Sequence, residues 1–169
     1  MKVAINKNAL ESIVTNSNSY LEKKDLSAIT SHIFIGAKDG ILNIKATDHE
    51  IGLAYKLSNV KIMDEGNATA NGKKLLDIIR SLKDEEITLE TVNNYLYIKQ
   101  KNSKYKLPMY KFEDFPNFPA IKNKNKFEID AVMLGRSLKK IFTSIDNNNP
   151  KFELNGALID IKQNYINIV

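Results

Sequence analysis

The sequence predicts an α+β fold of repeated modules, each of two helices packed on antiparallel sheets, and three observations carry that prediction. Segments of alternating apolar residues and segments of helical spacing succeed one another, with short polar turns between them. Neighbouring strand segments are joined by turn residues, which makes them antiparallel hairpins. A strand-helix-hairpin pattern at the start of the chain recurs without a gap 124 residues on, residue 2 matching residue 126.

Residues 2–5 alternate and read as a strand. Asn8 with Glu11 three positions later has capping-box spacing, and Leu10, Ile13 and Val14 form one helical stripe. Residues 16–30 are polar, with Lys23, Lys24 and Asp25 at their middle, and read as an exposed loop. Residues 33–35 and 41–44 are strands joined through Asp39-Gly40, a pair that accepts positive φ. Residues 50–60 alternate again, and residues 68–70 make a short strand. Asn71 then caps a second helix whose Leu75, Ile78, Ile79 and Leu82 lie on one face. Strands over residues 86–91, 95–100 and 103–109 follow, with Asn93-Asn94 and Lys101-Asn102 in the turns.

The last of these strands puts Tyr105 and Leu107 on one face and Lys104 and Lys106 on the other. It ends at Pro108, which cannot donate to a ladder, so it is an edge strand. Beyond it Phe112, Phe115 and Phe118 alternate with Pro116 and Pro119, too apolar for a loose tether and too rich in proline for a helix. This is a packed connector between modules.

After the connector, residues 126–129 repeat residues 2–5, and Asp130 takes the cap region of Asn6. Leu134 and Leu138 fall where Leu10 and Val14 did. Residues 157–159 lie on 33–35, and residues 165–168 lie on 41–44. The expected organisation is one complete module over residues 1–121 and the truncated start of a second over residues 122–169. A lone strand, helix and hairpin cannot close a sheet, so the natural protein is expected to continue past Val169.

With 43% hydrophobic residues among 169, the chain can bury one good core. It has no Cys, which excludes disulfides, thiolate metal sites and a cysteine nucleophile. No signal segment or membrane-length apolar run is present, so a soluble, cytoplasmic protein is expected. Lysine and arginine exceed the acids by 25 to 20, a net charge of +5 that favours a polyanionic partner.

No glycine-rich phosphate loop can be drawn, and no Ser sits in a Gly-x-Ser-x-Gly turn. Asp48-His49-Glu50 has the composition of a metal cluster but reads as a charged strand-end turn. No catalytic residue, metal site or cofactor is therefore assigned. The basic residues speak more clearly. Lys73, Lys74 and Arg80 avoid the apolar face of the second helix, and Arg136, Lys139 and Lys140 lie opposite Leu134, Leu138 and Ile141 on the third. Arg136 and Lys140 stand one turn apart, a like-charge pair that an overlying phosphate would relieve. Base-reading motifs are absent, so backbone and shape would be recognised rather than sequence.

The opening strand and helix, residues 46–50 (Ala-Thr-Asp-His-Glu), the helix over residues 74–82, the Glu113-Asp114-Phe115-Pro116-Asn117 connector and Leu154-Asn155-Gly156 together resemble the bacterial DNA polymerase III beta subunits, the sliding clamps. The resemblance implies the DNA-clamp fold: a ring-shaped homodimer of chains with three modules each, helices lining a hole around double-stranded DNA without sequence preference. It implies no catalysis. The clamp tethers the replicative polymerase for processivity, its partners being the DNA polymerase III catalytic subunit and the clamp loader, with no membrane role. By position, Lys24, Lys73 and Asn148 match DNA contacts. Lys74, Lys104, Tyr105 and Leu107 match the subunit interface, and Leu154 matches one wall of the partner-peptide pocket. The sequence departs from the pattern at the first helix, whose outward Ser12, Thr15, Asn16 and Ser19 are neutral. The competing reading is a repeat-built protein-interaction scaffold with no DNA role; sensitivity to DNA topology separates the two.

Overall fold

Two asparagines place the helices. In the computed structural model, which describes residues 1–25, 28–119 and 127–169, β1 (Lys2–Asn6) runs straight into α1 (Lys7–Ser17). Asn6 stays extended while its side chain accepts from the Asn8 and Ala9 N–H groups. The cap therefore falls two residues before the expected Asn8, because Asn8 already has helical neighbours on both sides. Glu11 does not reach back to a cap; it pairs with Lys7 and Arg80.

The chain then forms β2 (His32–Lys38), β3 (Ile41–Thr47), β4 (Gly52–Leu57), β5 (Lys61–Asp64) and β6 (Gly66–Asn71). Asn71 repeats the device, accepting from the Lys74 N–H at the start of α2 (Gly72–Ser81). β7 (Glu86–Val92), β8 (Tyr95–Gln100) and β9 (Ser103–Pro108) complete the set. The strand order is β5-β1-β7-β8-β9 in one antiparallel sheet and β4-β3-β2-β6 in the other. A strand, a helix and three strands thus occur twice, and each half lends its first strand to the other half's sheet: β1 pairs with β7, and β6 with β2. One core results, joining Leu10, Ile13 and Val14 of α1 and Leu75, Leu76 and Ile79 of α2 to both sheets. Neither half can bury its helix without the other.

The expected hairpin forms at Asp39-Gly40, with φ of 51° and 73°. The sequence reading misses β5, which has a single inward residue, Ile62, to reveal it. Residues 16–30 are not a plain exposed loop. α1 continues to Ser17, single 3-10 turns cover Asn18–Tyr20 and Ile29–Ser31, and Leu21 and Thr30 are buried. The connector docks on the four-stranded sheet. Phe115 is buried against Phe34 at 5.5 Å between ring centroids, Tyr110 stacks on His32 at 4.2 Å, and Thr69 exchanges hydrogen bonds with the Tyr110 backbone. Phe118 lies over Gly52, where a Cβ would come within 2.9 Å of the ring.

The chain divides into two compact units, Met1–Pro119 and Ala120–Val169. In the second, Asp130 caps α3 (Ala131–Phe142) by accepting from the Met133 N–H. Residues 127–130 form no strand, and Lys126 lies outside the described residues. The repeat nevertheless holds at the helix and the hairpin: α3 begins 124 positions after α1. In β10 (Ile159–Ile161) and β11 (Ile166–Ile168), Ile159, Asp160 and Ile161 pair with Ile168, Asn167 and Ile166. Subtracting 124 gives the pairs Ile35–Ile44, Gly36–Asn43 and Ala37–Leu42 of the β2–β3 hairpin. Leu134 and Ile141 of α3 are half-buried, whereas Val132, Met133 and Phe142 are exposed.

Candidate nucleic-acid interface

α1 and α2 pack side by side and turn their polar faces outward. On α1 these are Asn8, Ser12, Thr15 and Asn16; on α2 they are Lys73, Lys74, Asp77 and Arg80, all exposed. The chain leaving α1 folds over the start of α2. Its Asn18 side-chain amide donates to the Val14 carbonyl at 2.9 Å and the Gly72 carbonyl at 3.2 Å, linking the end of one helix to the start of the other. Gly72 makes the approach possible, since a Cβ there would stand 2.2 Å from Leu21 Cδ1 and 2.8 Å from Asn18 Oδ1.

This crossing leaves a cleft of about 500 Å³ between the loop and α2, with Leu21 and Leu76 in its lining and Lys23, Lys73 and Arg80 around it. Glu22 and Asp77 also line it, so the cleft is cationic but not uniformly so. Lys24 lies next door, in a depression shared with Asp48 and Glu50. Its backbone N–H donates to the Glu22 carboxylate at 2.6 Å, which holds that carboxyl below its usual range. Arg80 Nε sits 3.6 Å from Glu11, whose carboxyl is held low first by its hydrogen bond from Lys7 and then by Arg80. Part of the Arg80 charge is thereby neutralised within the protein. Lys23 is the residue the sequence reading passed over; its adjacency to Lys24 was the available signal.

Asp48-His49-Glu50 forms the turn between β3 and β4, with His49 at φ 77°. The Asp48 carboxylate accepts from the Ile51 and Glu50 N–H groups through one oxygen, Oδ1, which lowers its pKa. His32 is buried with Nδ1 unpartnered, and burial, with Lys74 nearby, pushes its pKa down to about 4.

The expected interface strand β9 is at the sheet edge, with Lys104 exposed and Tyr105 38% exposed. Leu107 differs from the expectation. It is 6% exposed and belongs to the core, because β9 alternates and Leu107 faces the same side as its ladder partner Leu96. In the second unit Arg136, Lys139 and Lys140 are exposed along α3, and the Asn148 N–H donates to Asp146. Leu154, expected at one wall of a partner-peptide pocket, sits in a 3-10 turn, Phe152–Asn155, with half its surface in water.

Fold and site together define a repeat-built module that presents a cationic helical surface. The profile described as "DNA polymerase III beta subunit, N-terminal domain" matches residues 1–119, and the chain belongs to that family. It is 42% identical over 165 residues to the beta sliding clamp of Helicobacter pylori, covering 98% of this chain and 44% of the relative, and 29% identical to that of Rickettsia felis over 96% and 43%. The chain thus spans less than half the length of these relatives. Among solved structures it matches a Helicobacter pylori beta clamp bound to a DNA ligase peptide, with a TM-score of 0.87 and 42% identity over 94% of this chain and 44% of the other. A Pseudomonas aeruginosa DNA polymerase III subunit beta shares the fold at a TM-score of 0.91 and 22% identity, over 98% and 45%.

Proposed function

We propose that this chain supplies the first module, residues 1–121, and the start of the second, residues 122–169, of a DNA sliding clamp. In that reading two full-length chains close into a ring around duplex DNA and tether the replicative polymerase, catalysing nothing themselves. The observation that supports it most is the layering of the first unit: sheets bury the inner faces of α1 and α2, and the outward faces, with the adjoining loop, carry Lys23, Lys24, Lys73 and Arg80. Such a surface meets phosphates and permits sliding, since none of its interactions depends on sequence. Arg136, Lys139, Lys140 and Asn148 extend the DNA-facing set in the second module; Lys74, Lys104 and Tyr105, with the backbone edge of β9, form the subunit seam; Leu154 is one wall of the pocket for partner peptides. A clamp works on the chromosome, in the cytoplasm, beside the polymerase catalytic subunit and the loader that opens the ring.

The test is topological. A chain extended to the length of its relatives, loaded on circular DNA, should resist dilution and be released when the circle is cut. Retention that is indifferent to cutting would favour a protein scaffold.

A further inference from the structure

The outer face of the five-stranded sheet lies opposite its core face and carries an ordered pattern. Across β7, β8 and β9 three rows stand on that face: Val92–Tyr95–Pro108, Glu90–Tyr97–Lys106 and Thr88–Lys99–Lys104. The first row is apolar and open, Val92 being 44% and Tyr95 39% exposed. The other two together carry three lysines, Lys99, Lys104 and Lys106, against the single acid Glu90. Lys104 Nζ sits 4.7 Å from the centroid of the Tyr97 ring and Lys106 Nζ 4.9 Å from that of Tyr95. The one acid on these rows, Glu90, is already held by Lys2 and Lys99, the first cause of its lowered pKa being the hydrogen bond from Lys99. Lys104 stands directly across the ladder from Lys99, and while Glu90 holds Lys99, neither Lys104 nor Lys106 forms an ion pair among the described residues.

We propose that this face binds an acidic peptide segment of a partner protein, anchored by one apolar side chain on the Val92–Tyr95–Pro108 row. Rows along a strand are about 7 Å apart, the spacing of alternate residues in an extended peptide, so acids two and four positions from the anchor meet the cationic rows. The ammoniums already occupy the tyrosine faces. A nucleic-acid base would have to displace them in order to stack, whereas carboxylates join them without rearrangement. The tyrosine rings bias Lys104 and Lys106 toward this face before binding, which lowers the ordering cost of recognition. This surface is separate from the helix face and meets the proposed seam only at Lys104, so the test rests on Val92 and Lys106.

The experiment uses the whole chain and a fluorescein-labelled decapeptide with one leucine and alternating glutamates, read by anisotropy. Lys106→Glu and Val92→Asp should each weaken binding by roughly tenfold, as should exchange of the glutamates for glutamine, while Lys38→Glu, on the other sheet, leaves it unchanged. Both positions are solvent-facing, and circular dichroism checks that the fold is kept. No measurable binding, or binding that Lys106→Glu leaves intact, overturns the proposal. Preference for oligothymidylate over the peptide at equal salt, abolished by Tyr97→Leu, assigns the face to single-stranded nucleic acid and overturns it equally.

Discussion

His32 carries a measurable pH signature. Its pKa in the folded protein is about 4, against 6.5 for an ordinary histidine, because burial under the Tyr110 ring and the nearby Lys74 oppose the charged form. Above pH 6.5 both folded and unfolded chains hold it neutral. As the pH falls from 6.5 toward 4 the unfolded chain takes up a proton that the folded chain refuses, so stability declines. The parent should lose about 2 kcal/mol more than His32→Phe between pH 7 and pH 4.5, measured by urea unfolding. Equal losses would show that His32 takes up its proton in the folded state as readily as in the unfolded one. Gly72 is a second single-residue test. Alanine there drives a methyl into Leu21 and Asn18 and should cost about 1–3 kcal/mol in thermal unfolding. An unchanged melting temperature would mean that the loop gives way freely.

At the scale of elements, β9 carries two roles on one face, where Leu107 is buried and Tyr105 is 38% exposed. Leu107 points into the core, so Leu107→Lys buries an ammonium and should cost several kcal/mol, unfolding the first unit rather than merely opening a seam. Tyr105, 38% exposed, is the side chain that a neighbouring strand can reach. In an extended chain Tyr105→Lys should leave far-UV dichroism unchanged and shift sedimentation from dimer toward monomer. A mutant dimer as tight as the parent would remove this strand's side chains from the seam. The connector is an element too, fixed by Phe115 on Phe34 and by Tyr110 on His32.

For the molecule as a whole, the DNA reading makes a quantitative claim about salt. Removing one lysine–phosphate pairing should flatten the plot of log affinity against log salt by about 0.9. Lys24 and Lys73 are exposed, and neither forms a side-chain ion pair among the described residues. Lys24→Glu and Lys73→Glu should therefore together flatten the plot by about twice that amount. Arg80→Glu should do less, because Glu11 already holds part of that charge. A slope that ignores both lysines would place the DNA elsewhere.

The sequence by itself determined the local pattern and its repetition. Helical stripes, hairpin turns, the Asn71 cap and the offset of 124 were legible because each depends on residues close in the chain or on a copy of them. The edge position of β9 was legible because Pro108 cannot donate. The family's motifs were legible for the same reason as the stripes and turns, being short and contiguous. What only the tertiary structure decided depends on residues far apart. β1 and β6 exchange sheets, Leu21 closes over Gly72, the connector's aromatics dock on β2 and β6, and Lys23 joins Lys73 across a cleft. The burial of Leu107 belongs here as well. Alternation named its face, but only the packing of α2 and β8 made that face the core rather than a seam.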